Sequence, residues 1–127
     1  MKYMIMMNTY DGGHPIETWA PEDLRAHIGF MGDFNAKLTA NGEWVDGQGL
    51  TMPPQAKLVR ANPDGSPNTD GPFAETKEFL VGFWIVDVES EQRALELAAE
   101  VSAAPGPRGE PLNMPIEVRP IGEAPQL

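Results

Sequence analysis

Phe79-Leu80-Val81-Gly82-Phe83-Trp84-Ile85-Val86-Asp87-Val88 is apolar on both alternating faces, with Phe79, Val81, Phe83 and Ile85 on one and Leu80, Trp84, Val86 and Val88 on the other. Successive side chains of a strand point to opposite sides, so such a run needs shelter on both and belongs in the middle of a sheet. Gly82 leaves a gap on one face. The opening run Lys2 to Met7 has the same character and supplies a second central strand.

Outward from these runs, Asn8 to Ala20 has the Gly and Pro content of a long loop. Pro21 suits a first helical position, Glu22 and Asp23 place negative charge at the positive end of the dipole, and Asn41-Gly42 is a stop signal. A helix over 21–40 follows, with Leu24, Ile28, Met31, Phe34 and Leu38 as its buried stripe. Gly29 and Gly32 weaken this helix and are read as points of close approach to another backbone. Glu43 to Leu50 and Ala56 to Ala61 read as further strands, the first loosened by Gly47 and Gly49. Asn62-Pro63-Asp64-Gly65-Ser66-Pro67 is turn chemistry and predicts an exposed hairpin. Ser90 caps a second helix over 91–103 that buries Leu95, Ala98, Val101 and Ser102, and Pro105-Gly106-Pro107 ends it. Ile116 to Ile121 alternates as a last strand, Ile116 and Val118 opposite Glu117 and Arg119.

This order gives two βαβ-like halves around one antiparallel sheet with both helices on one face, an α+β fold of the ferredoxin-like type. Two helices shelter one face only, yet both central strands are apolar on two. The surplus predicts a homodimer with sheets packed face to face, burying Trp84 with members of the Met4, Met6 and Leu80 set, and with Glu117 and Arg119 at the rim of a pocket. The competing reading folds the long loops over that face.

A chain of 127 residues is expected to form a single domain spanning 1–127. Its net charge of −10, with scattered basic residues, argues against nucleic acid and anionic membranes as partners. The absence of cysteine removes thiol chemistry. The apolar run Tyr3 to Met7 is too short for a signal peptide or a membrane span, so a cytoplasmic location is expected.

The run Thr69-Asp70-Gly71-Pro72-Phe73-Ala74-Glu75-Thr76-Lys77-Glu78, with Glu117-Val118-Arg119-Pro120 and the opening Lys2-Tyr3-Met4, resembles the DGPF branch of the YCII-related family. The resemblance implies a dimeric α+β barrel of ferredoxin-like protomers, in a family that is largely uncharacterised. It also implies a buried His and Asp pair in an inter-sheet pocket for members thought to be enzymes, and a link to extracytoplasmic-function sigma factors for DGPF proteins. Where the family's pocket Asp would follow the second helix, this chain reads Ser102-Ala103-Ala104-Pro105.

His27 borders the helical stripe, where it is either a general base or a core histidine bonded to a backbone carbonyl. Asp70 either caps the turn before Gly71-Pro72 or closes over a pocket to bind a polar ligand. Glu75 and Lys77 share a strand face and pair with each other or with a ligand. Arg119, with Glu117 beside it, makes an interface ion pair or clamps a substrate carboxylate. The histidines, His14 and His27, fit no metal-site spacing, and no cofactor is expected. Two functions remain open. One is a cofactor-independent acid–base enzyme on a small polar or carboxylate substrate, with His27 as base, Asp70 as orienter and Arg119 as clamp. The other is a non-catalytic dimeric module that binds a small ligand or a protein partner.

Overall fold

The computed structural model describes residues 1–8, 16–51, 55–69 and 79–125. Its strands are β1 (Lys2–Asn8), β2 (Trp44–Gly49), β3 (Arg60–Ala61), β4 (Pro67–Asn68), β5 (Leu80–Asp87) and β6 (Ile116–Pro120). Its α-helices are α1 (Pro21–Ala40) and α2 (Glu91–Ser102), with short 3-10 turns at Ile16–Thr18 and Pro107–Gly109. The four longer strands form one antiparallel sheet in the order β2-β5-β1-β6. The architecture is α+β, consistent with the ferredoxin-like arrangement. No helix among the described residues is long and apolar enough to cross a membrane.

Local chemistry explains the helix ends. Pro21 opens α1, and Gly42 closes it at φ 72, a left-handed conformation that costs glycine little. Glu43 N–H then bonds back to the Leu38 carbonyl at 2.9 Å. Ser90 Oγ accepts the Arg93 N–H at 3.2 Å and caps α2. The predicted third strand shrinks to Arg60–Ala61, paired with Pro67–Asn68 across the turn, while Leu58 and Val59 stay exposed.

Both helices lie on one face of the sheet. Tyr3, Ile5, Trp84 and Val86 from the strands meet Phe34 and Leu38 of α1 and Ala94, Leu97, Ala98 and Val101 of α2 in one buried cluster. Two predicted stripes are corrected here. Ile28 is 60% exposed and Leu95 is 46% exposed, and their places on the buried faces fall to His27 with Phe30 and to Ala94 with Leu97. Among the described residues Gly29 and Gly32 approach no other backbone; a Cβ at either would meet nothing there within 4 Å.

The register defines the opposite face. Asp46, Ile85, Met4 and Arg119 form one row across the sheet, and Gln48, Phe83, Met6 and Glu117 form the next. A bulge at Val45 puts Trp44 on the helix side while Asp46 and Gln48 stay on this one. Among the described residues no helix packs here, so Met4, Met6, Phe83 and Ile85 are an apolar stripe only half-buried by its neighbours. Trp84, expected on this face, lies on the other: it is 7% exposed and packs edge-on against Phe34 at 5.6 Å.

Candidate functional site

The helix side holds a cavity of about 220 Å³ between α1 and the adjoining ends of β2 and β5. Its origin is in the sequence. Gly47, Gly49 and Gly82 line it from the sheet, where ordinary side chains would fill the space, and the Trp84 ring forms a wall. At two of these glycines a side chain would be crowded, severely at Gly47 and mildly at Gly82. A Cβ on Gly47 would come within 2.7 Å of the Trp44 ring, and one on Gly82 would press the Gln48 carbonyl at 3.3 Å. From α1 the cavity receives His27, Met31 and Asn35, at intervals of four along one line of the helix.

Two of those side chains are held in defined orientations. The His27 Nδ1 lies 3.0 Å from the Pro105 carbonyl oxygen. A carbonyl only accepts, so Nδ1 carries the proton in the neutral ring and Nε2 keeps its lone pair. Trp19 packs edge-on against the imidazole, centroids 5.2 Å apart. The second is Asn35, whose Oδ1 accepts the Trp84 indole N–H at 2.7 Å. Indole only donates, which fixes the amide orientation and turns Nδ2 outward as a donor.

The His27 contact also explains how the segment after α2 is positioned. Pro105 pairs with Pro111, Gly106 N–H bonds the Glu110 carbonyl at 2.7 Å, and Arg108 N–H bonds Asp23 Oδ2 at 3.1 Å. Ser102 Oγ donates to the Met114 carbonyl at 2.6 Å. The stretch without a carboxylate, Ser102 to Pro105, thus presents a backbone oxygen to the histidine. Of the two readings of His27, the carbonyl-bonded one is seen, and the same residue lines a cavity.

The other candidates separate from it. Trp84 lines the same cavity, on the helix side. Glu117 and Arg119 lie across the sheet on β6, mostly exposed, with Arg119 Nε 3.9 Å from Glu117 Oε2. His27 and Arg119 therefore do not meet in one pocket of a protomer. His14, Asp70, Glu75 and Lys77 lie outside the described residues. Asn35 was missed by sequence reasoning, although its spacing of four from Met31 and three from Leu38 places it on the buried face. Among the described residues no three histidine or acidic side chains cluster as a metal site.

An uncharacterised protein of Rhizobium meliloti (strain 1021) is 46% identical over 52 residues, a stretch that is 41% of this chain and 38% of that protein. The chain thus spans well under two thirds of that relative's length. The YCII-related domain model matches residues 1–106, which carry β1, α1, β2, β5, α2 and the Pro105 carbonyl, and the chain belongs to the YCII-related family.

Proposed function

We propose that the chain performs cofactor-independent acid–base chemistry on a small molecule in the cavity beside α1, with His27 Nε2 as the proton acceptor. One observation carries this reading. The Nδ1–Pro105 contact pins the tautomer and leaves Nε2, without a partner among the described residues, on a side chain that lines the cavity. A carbonyl in place of a carboxylate fixes the ring without adding negative charge behind it. Arg119, across the sheet, has no part in this cavity.

Long-range proton–nitrogen NMR correlation at mildly alkaline pH tests the geometry. The neutral His27 ring shows its proton on Nδ1, although free imidazole side chains favour the other nitrogen; a proton on Nε2 removes the acceptor and the reading with it. A thermal-shift screen of small molecules then tests the role. Ligands that raise the Tm of the wild type do so far less in His27→Gln. Hits that leave the His27 resonances unmoved count against the cavity.

The apolar stripe on the open face supports a second element of the proposal, a homodimer. Asp46 and Gln48 stand at one edge of that face, Arg119 and Glu117 at the other, row by row. A two-fold axis along the strands sets the acidic Asp46 of one copy over the basic Arg119 of a second, and Gln48 over Glu117. The face is then self-complementary, as an isologous contact requires. Asp46→Lys weakens association and Asp46→Lys with Arg119→Asp restores it, as read by sedimentation equilibrium; a double variant no tighter than the single one rejects this docking.

A further inference from the structure

The loop that bonds His27 is fastened to α1 at a second point. Residues 104–112 close on themselves through the backbone, with Leu112 N–H donating to the Ala104 carbonyl at 3.0 Å, Gly106 N–H to the Glu110 carbonyl at 2.7 Å and Gly109 N–H to the Gly106 carbonyl at 2.9 Å. Gly106 lets the two arms pack closely, since a Cβ there would fall 2.5 Å from the Leu112 side chain. A segment cross-bonded in this way moves as one unit. Two polar contacts tie the unit to α1: the His27 Nδ1–H donates to the Pro105 carbonyl at 3.0 Å, and the Arg108 N–H donates to Asp23 Oδ2 at 3.1 Å. Asp23 and His27 are four residues apart and so stand one above the other on the same side of the helix.

The two contacts differ in strength. Arg108 sits at φ 61, ψ 18, a left-handed conformation that costs a residue with a side chain some energy, and the N–H it presents there goes to a carboxylate, the stronger kind of acceptor. The bond to Pro105 joins neutral groups and has to overcome the ring's own preference for a proton on Nε2. We infer that Asp23 is a positioning residue: by clasping the Arg108 N–H it holds the Pro105 carbonyl against Nδ1 and so keeps the Nε2 lone pair of His27 for the cavity. Asp23 stands outside the cavity wall, so it acts through the loop. When the clasp opens, the ring reverts to the Nε2–H form and the acceptor in the cavity becomes a donor. This rests on the reading of His27 as the proton acceptor.

The ratio of the two neutral tautomers, read from the His27 ring nitrogens of the isotope-labelled full chain at mildly alkaline pH, tests this. Asp23→Ala lowers the ratio of Nδ1–H to Nε2–H about tenfold, the worth of one charge-assisted hydrogen bond. Asp23→Asn keeps an acceptor oxygen in place and retains most of the wild-type ratio. Arg108→Gly keeps the N–H, suits the left-handed backbone and leaves the ratio unchanged. The Asp23 side chain lies outside the buried core, so these variants keep the fold. An unchanged ratio in Asp23→Ala overturns the clasp and leaves His27 as the acceptor. So does an Asp23→Asn that behaves as Asp23→Ala, which assigns the effect to charge at the helix end, or an Arg108→Gly that shifts the ratio. A wild-type proton on Nε2 rejects the acceptor itself, and the inference falls with it.

Discussion

Under the proposed docking, Phe83→Glu is expected to abolish self-association and leave the protomer folded: at micromolar concentration the expected outcome is a dimeric wild type and a monomeric variant. Phe83 sits between Gln48 and Met6 in the central row of the open face, so it lies mid-interface under the proposed docking. A carboxylate there reaches water in the single protomer, because the side chain is only partly buried and no helix among the described residues covers it. In the dimer it is buried against the partner's apolar stripe without a counter-charge. The loss of an aromatic anchor and the stranded charge together weaken the dissociation constant by about a thousandfold or more, roughly 4 kcal/mol. Urea melts of the monomeric variant, corrected for the loss of mass action in the wild type, remain cooperative. A Phe83→Glu protein that still sediments as a dimer places the contact elsewhere, and a monomeric wild type shows that the stripe is covered within one chain.

The sequence revealed the architecture because its strongest signals are local. Pro21, Asn41-Gly42 and Ser90 each mark a helix end by backbone chemistry, and α1 spans Pro21–Ala40 as those marks require. Two stripe errors share one cause. Ile28 lies six residues before Phe34 and Leu95 six before Val101, and at about 100° per residue that is about 120° off the face. His27 lies seven before Phe34, only about 20° off, so the phase of α1 was legible from Phe34 and Leu38 while hydrophobicity favoured Ile28. Alternation grouped Trp84 with Val86 correctly, but period two does not say which face the helices cover. Asn35 as the indole's acceptor is the cue that α1 lies on that side. The partner of His27 was beyond sequence patterns altogether, because a backbone carbonyl such as that of Pro105 carries no residue signature.

Glu43→Gln lowers stability at neutral pH by about 2 kcal/mol, and this deficit shrinks as the solution is acidified. Glu43 joins three elements. Its N–H bonds the end of α1, its carbonyl accepts the Asp87 N–H at 2.8 Å, and its carboxylate takes Arg93 Nε and Nη2 from α2, each at 2.9 Å. The fork is poorly hydrated, with the Glu43 side chain 13% exposed and that of Arg93 24% exposed. The Arg93 hydrogen bonds, with its charge adding to them, hold the Glu43 carboxyl below its ordinary value near 4.5 against the opposing pull of desolvation. Arg93 is pushed upward and stays charged throughout.

Because the folded value lies below the unfolded one, the ionised pair contributes its full stabilisation above pH about 4.5, and that contribution fades as pH falls through the folded value. Glu43→Gln has no proton to gain, so its stability is flatter across the same window and the two curves converge in acid. For a chain of this size the neutral-pH deficit corresponds to a fall in Tm of about 6–12 °C. Urea midpoints at neutral and acidic pH read both features; a deficit that is absent at neutral pH, or constant down to low pH, rejects the assigned linkage. Arg93→Lys keeps the charge but not the bidentate geometry and falls between wild type and Glu43→Gln. Replacing both partners with leucine removes the poorly hydrated carboxylate and guanidinium together and recovers much of the loss, whereas Glu43→Gln leaves Arg93 with the longer contact to Glu96 Oε2 at 3.6 Å.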